Sequence, residues 1–99
     1  MTTTVSALEE IQAREAKHVL QTYRRNPINF VRGQGVRLFD SEGREYYDLL
    51  SGIGVASLGH AHPGVAKAIA EQATQLVHTS NLFFHPLQGE VAERLSAGE

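Results

Sequence analysis

Cysteine is absent from the 99-residue chain, so disulfide bonds and thiolate metal ligands are excluded. An excess of charge of one sign is also missing. Nine basic and eleven acidic residues leave a formal net charge of −2, which does not produce the basic surface typical of nucleic-acid-binding proteins. No stretch approaches about 18 consecutive apolar residues, so no membrane-spanning segment is predicted. The first residues lack the pattern of a secretory signal, and we expect a cytoplasmic protein.

The periodicity of the apolar residues predicts an α+β arrangement. A capping-box spacing, Ser6 followed by Glu9, begins an amphipathic helix predicted over residues 7–23. Three short segments rich in β-branched and aromatic residues follow, at 28–32, 36–40 and 44–48. Glycine-containing breaks separate them, with Gly33-Gln34-Gly35 at the first break. The simplest interpretation is a three-stranded antiparallel meander.

The second half of the chain predicts two loops and two helices. Residues 51–62 are rich in glycine and serine without a clean period and are predicted to form an ordered loop. Pro63 is suited to the first position of a helix predicted over 64–77. After a loop at 79–85, Pro86 opens a last helix, for which Gly98 is a candidate C-cap. These elements leave several apolar faces with little to cover them, so we expect the chain to be a fragment of a larger protein.

Several motifs could carry out chemistry, but for each of them the residues alone favour a structural role. The nucleotide fingerprint would need a further glycine opening a helix after Gly35, so a simple hairpin turn is the better interpretation there. His60 and His62 could hold a metal, but zinc normally takes three or four protein ligands, and structural hydrogen bonding is favoured. Asp48 is expected to cap a turn. No serine lies in a nucleophile elbow.

The loop around residues 79–84 has two possible roles. Short polar groups beside two phenylalanines could form the wall of a ligand pocket. Composition alone favours the alternative, in which Phe83 and Phe84 fill the core, because aromatic side chains are mostly buried.

The order of motifs resembles the class-III pyridoxal-phosphate-dependent aminotransferases from about Tyr23 to Leu95. The family shares a segment of spaced glycines followed by Tyr-x-Asp, a glycine-rich stretch that ends in Gly-His-x-His-Pro, and a later His-Thr-Ser-Asn. In this sequence the matching positions are Gly33, Gly35, Leu38, Asp40, Gly43, Tyr46, Asp48, Ser51-Gly52-Ile53, Leu58-Gly59-His60-Ala61-His62-Pro63, Ala68-Ile69, Gln72 and His78-Thr79-Ser80-Asn81.

The resemblance implies a fold-type-I α/β transferase, usually a homodimer whose active sites are shared between subunits. Residues 1–25 would then be an N-terminal helix, 26–85 the N-terminal part of the small domain, and 86–99 the start of the large cofactor-binding domain. Pyridoxal phosphate would act as the electron sink in the full-length enzyme.

The resemblance also assigns substrate-binding residues. Gly52 and Ile53 match positions that line the substrate side of the pocket. Asn81, Phe83 and Phe84 match a loop that contacts substrate, commonly from the neighbouring subunit, and this implication reverses the preference for a core role.

Ile53 bears on the choice of substrate. Ornithine aminotransferases typically have a tyrosine there, whose hydroxyl is placed to engage the free α-amino group. Isoleucine cannot do so, and the chain therefore looks more like the acetylornithine type, which moves an amino group between N-acetylornithine and 2-oxoglutarate in arginine biosynthesis. Phe84 departs from the tyrosine that is frequent at its position.

The family's catalytic lysine, its phosphate-binding loop and its carboxylate-binding arginine lie later in the family's sequence. Lys17 and Lys67 match none of those sites. We therefore expect no catalytic, cofactor or metal ligand within this chain, and no activity from it alone. Three alternatives stay open: another class-III enzyme acting on ornithine, 4-aminobutyrate or succinylornithine, a non-catalytic remnant of the family, or a small binding module with a metal held by His60 and His62.

Overall fold

A computed structural model describes residues 5–98 of the chain. They divide into two compact units, one up to Pro63 and one from Gly64 onward, and each unit is described by itself. The predicted α+β composition is confirmed. The elements are, in order, α1 (Ala7–His18), β1 (Phe30–Gln34), β2 (Arg37–Asp40), β3 (Glu45–Tyr47), α2 (Pro63–Ala73) and α3 (Pro86–Ala97). The domain boundaries implied by the family resemblance stay predictions.

Helix α1 begins at the predicted residue but ends at His18, five residues before the predicted end. The Ser6 hydroxyl accepts a hydrogen bond from the Glu9 amide at 3.1 Å, which satisfies one of the free N–H groups of the first turn. The prediction that the helix continues to residue 23 was wrong, because Val19 is extended. The side chain of Gln21 donates to the carbonyl oxygens of Glu15 (3.1 Å) and Val19 (2.8 Å), and the Val19 carbonyl is an acceptor that a longer helix would have used.

The three strands form an antiparallel sheet in the order β1-β2-β3, which confirms the predicted meander. The first predicted break was misplaced. Gly33 lies within β1, opposite Leu38, and the turn falls instead at Gly35, which has a φ of +59°. The pairing shifts by one residue between Phe30 and Arg32, as expected for a β-bulge.

Aromatic side chains form contacts between strands on both faces of the sheet. The rings of Phe30 and Tyr46 meet edge to face, with centroids 5.4 Å apart and an interplanar angle of 87°. The guanidinium carbon of Arg32 lies 3.8 Å from the centroid of the Phe39 ring, within cation–π distance. These contacts link β1 to both of the other strands.

Asp40 organises the turn between β2 and β3. Its side chain accepts hydrogen bonds from the amides of Glu42 (2.9 Å) and Arg44 (2.8 Å), from Nε of Arg44 (2.7 Å) and from the Tyr46 hydroxyl (3.1 Å). Burial opposes ionisation, but the hydrogen bonds from Arg44, Glu42 and Tyr46 outweigh it and lower the pKa of Asp40 from 3.8 to about 2. Asp40 is therefore ionised in the folded chain wherever an exposed aspartate would be.

We expect Asp40→Asn to lower the melting temperature of the full-length protein by roughly 3–6 °C near neutral pH. The folded-state pKa of Asp40 lies below its unfolded value, so its contribution to stability is present above 3.8 and is lost as the pH falls towards about 2. Thermal unfolding of wild type and variant, compared at several pH values, measures the difference in melting temperature. The two proteins should converge in acid.

Glu42→Gln is the matched control, because Glu42 is an exposed carboxylate of the same turn and its ion pair with Arg44 lies at the surface. This variant should change stability little. A stability difference between wild type and Asp40→Asn that stayed constant with pH would contradict the prediction.

The second unit contains the rest of α2, a loop and α3. Pro63 is the first residue of α2, as predicted, but the helix ends at Ala73 and not at 77. The Leu76 amide still donates to the Gln72 carbonyl, while the Gln72 side chain donates to the Leu76 carbonyl at 3.0 Å, so this segment closes into a turn. Gly98 is the C-cap of α3, as predicted, and its φ of −80° is not left-handed.

The apolar side chains of both units lie largely at the surface. Among residues 5–98 no hydrophobic side chain is buried, and Asp40 is the one buried polar residue. Helices α2 and α3 do not pack against each other. No helix in the described part of the chain has the length and apolar character needed to cross a membrane. The predicted excess of uncovered apolar surface is therefore present in the structure.

Candidate functional site

The glycine-rich loop is closed at its base by Asp48 and His60. The Asp48 side chain accepts hydrogen bonds from the amides of Leu50 (2.9 Å) and Ser51 (2.8 Å), so it caps the turn as predicted. Its second oxygen lies 2.5 Å from Nε2 of His60. One carboxylate therefore joins the first residues of the loop to its last ones.

The backbones of Asp48 and His60 are also fixed to the sheet. The Asp48 amide donates to the carbonyl of Val36, the residue immediately before β2, at 2.7 Å. Gly35 and His60 exchange two backbone hydrogen bonds, of 2.9 and 2.8 Å, in an antiparallel bridge. Both ends of the loop are thus attached to the same turn of the sheet.

Hydrogen bonding to Asp48 sets its ionisation. The backbone amide of Ser51, the His60 side chain and the amide of Leu50 lower the pKa of Asp48 below its usual value of 3.8, against a smaller effect of burial. An ionised carboxylate can only accept hydrogen bonds, so Nε2 of His60 carries the proton that they share. We will call this hydrogen-bonded pair, Asp48 and His60, the loop clamp.

Within the loop, four consecutive residues have left-handed backbone conformation. Their φ angles are +57° for Ser51, +60° for Gly52, +62° for Ile53 and +88° for Gly54. Glycine accepts this conformation readily, whereas a β-branched residue such as isoleucine rarely does. Strain of this kind amounts to about 1–3 kcal/mol for each residue other than glycine and is concentrated at functional sites. The Ile53 side chain is 86% exposed, so burial within this chain does not offset its strain.

The candidate site in the second unit lies between α2 and α3 in sequence. Asn81, Phe83 and Phe84 line one open cavity of about 480 Å³. Ser80, with a φ of +71°, turns the chain, and its hydroxyl accepts from the Leu82 amide at 3.3 Å. His85 then caps α3, since Nδ1 accepts from the Leu87 amide at 3.2 Å.

The phenylalanines of this loop do not fill a core within the chain. Phe83 is 68% exposed and Phe84 is fully exposed. Composition had favoured the core role, and that interpretation was wrong for the described residues. The structure thus brings three of the five predicted site residues together in one cavity, and it places Gly52 and Ile53 side by side on the strained loop of the other unit. Their assignment to a substrate stays a prediction.

A metal role for the two histidines finds little geometric basis. The Nε2 atom of His60 is already engaged by Asp48, as its structural interpretation predicted. In the part of the chain that the structure describes, no group of three or more histidine or acidic side chains is arranged to hold a metal ion.

Sequence reasoning did not find the loop clamp as a pair. Each residue was interpreted separately, Asp48 as a turn cap and His60 as a structural hydrogen-bonding group. The sequence did contain one indication of the pair, namely an aspartate at the end of a strand and a histidine, next to a glycine, at the other end of the loop that follows. The left-handed run was missed as well, because Ser51 and Ile53 give no sign of it.

Comparison with known proteins identifies the family. The sequence profile of the aminotransferase class-III family matches residues 19–98. The chain belongs to the class-III aminotransferases. Acetylornithine aminotransferase of Aquifex aeolicus (strain VF5) is 51% identical over 78 residues, which are 79% of this chain and 21% of that protein. The chain spans about a fifth of the length of the curated relatives it matches.

Solved class-III structures share the fold of the chain. Acetylornithine aminotransferase from Elizabethkingia anophelis superposes with a TM-score of 0.85 and 36% identity, covering 91% of this chain and 22% of that one. Ornithine aminotransferase from Toxoplasma gondii, which holds pyridoxal phosphate at partial occupancy in its active site, gives 0.85 and 33% identity over 93% of this chain and 22% of its own. The described elements are therefore consistent with a fragment of the fold of these pyridoxal-phosphate enzymes, as the resemblance implied.

Proposed function

We propose that the full-length protein is a pyridoxal-phosphate-dependent aminotransferase that moves an amino group between N-acetylornithine and 2-oxoglutarate, and so serves arginine biosynthesis. Membership of the class-III family supports the reaction type. The substrate is supported by relatives of 46–51% identity, all named acetylornithine aminotransferases. Within the full-length protein this chain supplies substrate contacts.

The single structural observation that carries the choice of substrate is the position of Ile53. Its apolar side chain projects from a strained loop into the open, with no hydrogen-bonding group of its own. A free α-ammonium group brought against it would lose hydration without gaining a partner, which is unfavourable. An acylated amine carries no charge at that point and avoids most of this penalty.

The described residues do not fit the cofactor. A covalent pyridoxal phosphate needs a lysine within an enclosed site. Lys67 is 77% exposed on α2 and pairs with Glu71 at 3.8 Å, and Lys17 is exposed in the last turn of α1. The cofactor supplies an electron sink in this family, and its attachment is assigned to residues outside this chain.

Asn81, Phe83 and Phe84 complete the proposal as the second set of substrate contacts. Their shared cavity combines one amide with two apolar rings, a composition suited to a small polar ligand with an aliphatic chain. The family resemblance supports a homodimer in which this loop serves the neighbouring active site. The cysteine-free composition suits the proposed cytoplasmic location, since a reducing compartment requires no disulfide bonds.

Ornithine is the second candidate donor. Ornithine aminotransferases from Toxoplasma gondii match this chain with TM-scores of 0.85, as high as that of the acetylornithine enzyme described above. Ile53 argues against it, since the resemblance implies a tyrosine at that position in enzymes that engage the free α-amino group.

Steady-state kinetics of the full-length protein test the proposal. We expect kcat/KM for N-acetylornithine to exceed that for ornithine by about tenfold or more, with 2-oxoglutarate as acceptor and pyridoxal phosphate present. 4-Aminobutyrate and N-succinylornithine are the comparison donors. A preference for unacetylated ornithine would contradict the substrate, and a lack of transamination with every donor would contradict the reaction.

A further inference from the structure

The strained loop and its clamp are connected in a way that gives Asp48 and His60 a role beyond fold stability. Residues 51–54 hold left-handed conformations, and Ile53 in particular has no burial within the chain to keep it there. A conformation of this kind persists only where surrounding contacts fix it. Among the described residues, the contacts that fix it come from the ends of the loop and from hydrogen bonds within it.

The hydrogen bonds within the loop are local. The Ile53 amide donates to the Leu50 carbonyl at 3.0 Å, and the Ala56 amide donates to the Ser51 carbonyl at 2.8 Å. They shape a compact turn, but they do not orient it against the sheet. Orientation depends on Leu50 and Ser51, whose amides are both held by the carboxylate of Asp48.

His60 fixes that carboxylate. Its Nε2 binds the oxygen of Asp48 that the two amides do not use. The backbone amide and carbonyl of His60 both form hydrogen bonds with Gly35. The imidazole also packs over Gly33, where no side chain intervenes. His60 thereby fixes Asp48 to the sheet. Through Asp48 it also fixes the first residues of the loop.

We infer that the loop clamp positions Ile53 towards the amino donor, with His60 and Asp48 acting as positioning residues and not as catalytic ones. The inference rests on the proposed function for the identity of the donor. Loss of the His60–Asp48 hydrogen bond would free the carboxylate to rotate. Residues 51–54 could then leave the left-handed region, and the Ile53 side chain would no longer lie at the amino donor.

Two substitutions at His60 separate the hydrogen bond from the packing. His60→Phe keeps a ring over Gly33 and the backbone bridge to Gly35, but it cannot donate to Asp48. His60→Gln has an amide able to donate to the carboxylate and should restore much of the wild-type behaviour. Asp40→Asn is the matched control, because Asp40 also caps a turn through backbone amides but makes no contact with the loop.

The experiment uses the full-length protein with pyridoxal phosphate bound and has two readouts. Hydrogen–deuterium exchange of peptides covering residues 49–59 reports on the loop, and steady-state kinetics report on the donor. For His60→Phe we expect exchange in that segment to become about tenfold faster, and KM for N-acetylornithine to rise about tenfold with kcat within about twofold of wild type. His60→Gln should lie within about threefold of wild type in both readouts.

The outcomes distinguish the inference from the proposed function. Asp40→Asn should leave both the exchange of 49–59 and the donor KM unchanged even where it lowers the melting temperature. An active His60→Phe protein with wild-type exchange and KM overturns the inference alone, as does an equal change in KM from Asp40→Asn. A wild-type protein without aminotransferase activity overturns the proposed function and the donor part of the inference together, while the exchange data still decide whether the clamp orders the loop.

Discussion

Gly33→Ala is expected to destabilise the full-length protein by about 2–3 kcal/mol. A Cβ atom at this position would lie 2.7 Å from Cβ and 2.8 Å from Cγ of His60, and 3.1 Å from Cδ2 of Leu38. The Cβ atom of His60 is fixed by the backbone, so a change of rotamer does not relieve its contact. His60 cannot retreat either, because its backbone is paired with Gly35 and its ring with Asp48. Denaturant unfolding of the wild type and the variant measures the loss.

Gly35→Ala provides the comparison two residues further along. A Cβ atom at Gly35 would meet nothing within 4 Å, but the residue has a φ of +59°. Its substitution should therefore reflect only the left-handed conformation, about 1–2 kcal/mol, and Gly35→Asn should be milder still. If Gly33→Ala were no more destabilising than Gly35→Ala, the close approach of His60 to β1 would be wrong.

Ile53→Tyr is expected to raise the preference for ornithine over N-acetylornithine, measured as the ratio of the two kcat/KM values, by about tenfold or more. The side chain is exposed, so a larger ring can be accommodated, and the backbone angle is no harder for tyrosine than for isoleucine. A phenolic oxygen placed at the donor would accept a hydrogen bond from the free α-ammonium group. Hydrogen bonds to charged groups contribute about 1.5–3 kcal/mol, which corresponds to a tenfold change or more.

Val55→Tyr is the control for this substitution. Val55 is a β-branched residue of the same loop with nearly the same exposure, 88%, but it lies outside the left-handed run. The donor ratio should then stay within about twofold of wild type. A folded, active Ile53→Tyr protein with the wild-type ratio would remove Ile53 from the determinants of donor choice.

The elements that the sequence predicted well are those with local causes. The Ser6 cap, the prolines at the starts of α2 and α3, and the glycine-separated strands each depend on a few neighbouring residues, and all are found in the structure. The ends of α1 and α2 were predicted too far along the chain. In both cases a glutamine side chain, Gln21 or Gln72, takes over a carbonyl, and apolar periodicity contains no information about that.

The family, too, was accessible from the sequence, because several of its motifs occur in this chain in the family's order, and several relatives are 48–49% identical over 80–83% of the chain. Asp48 and His60 lie within those motifs, and each was assigned a structural role separately. Their pairing spans twelve residues of loop. It depends on the bridge between His60 and Gly35, which brings the ends of that loop together.

By itself, then, the sequence determined the succession of helices and strands, the turn chemistry and the membership of the class-III aminotransferases, since these follow from local conformational preference and motif order. Only the tertiary structure decided where the strands turn, that Gly33 must lack a side chain, and that Ile53 has a left-handed conformation in a loop whose base is closed by Asp48 and His60. The physical reason is that these features arise from contacts between residues distant in sequence, where the steric and hydrogen-bonding demands of one segment are set by the position of another.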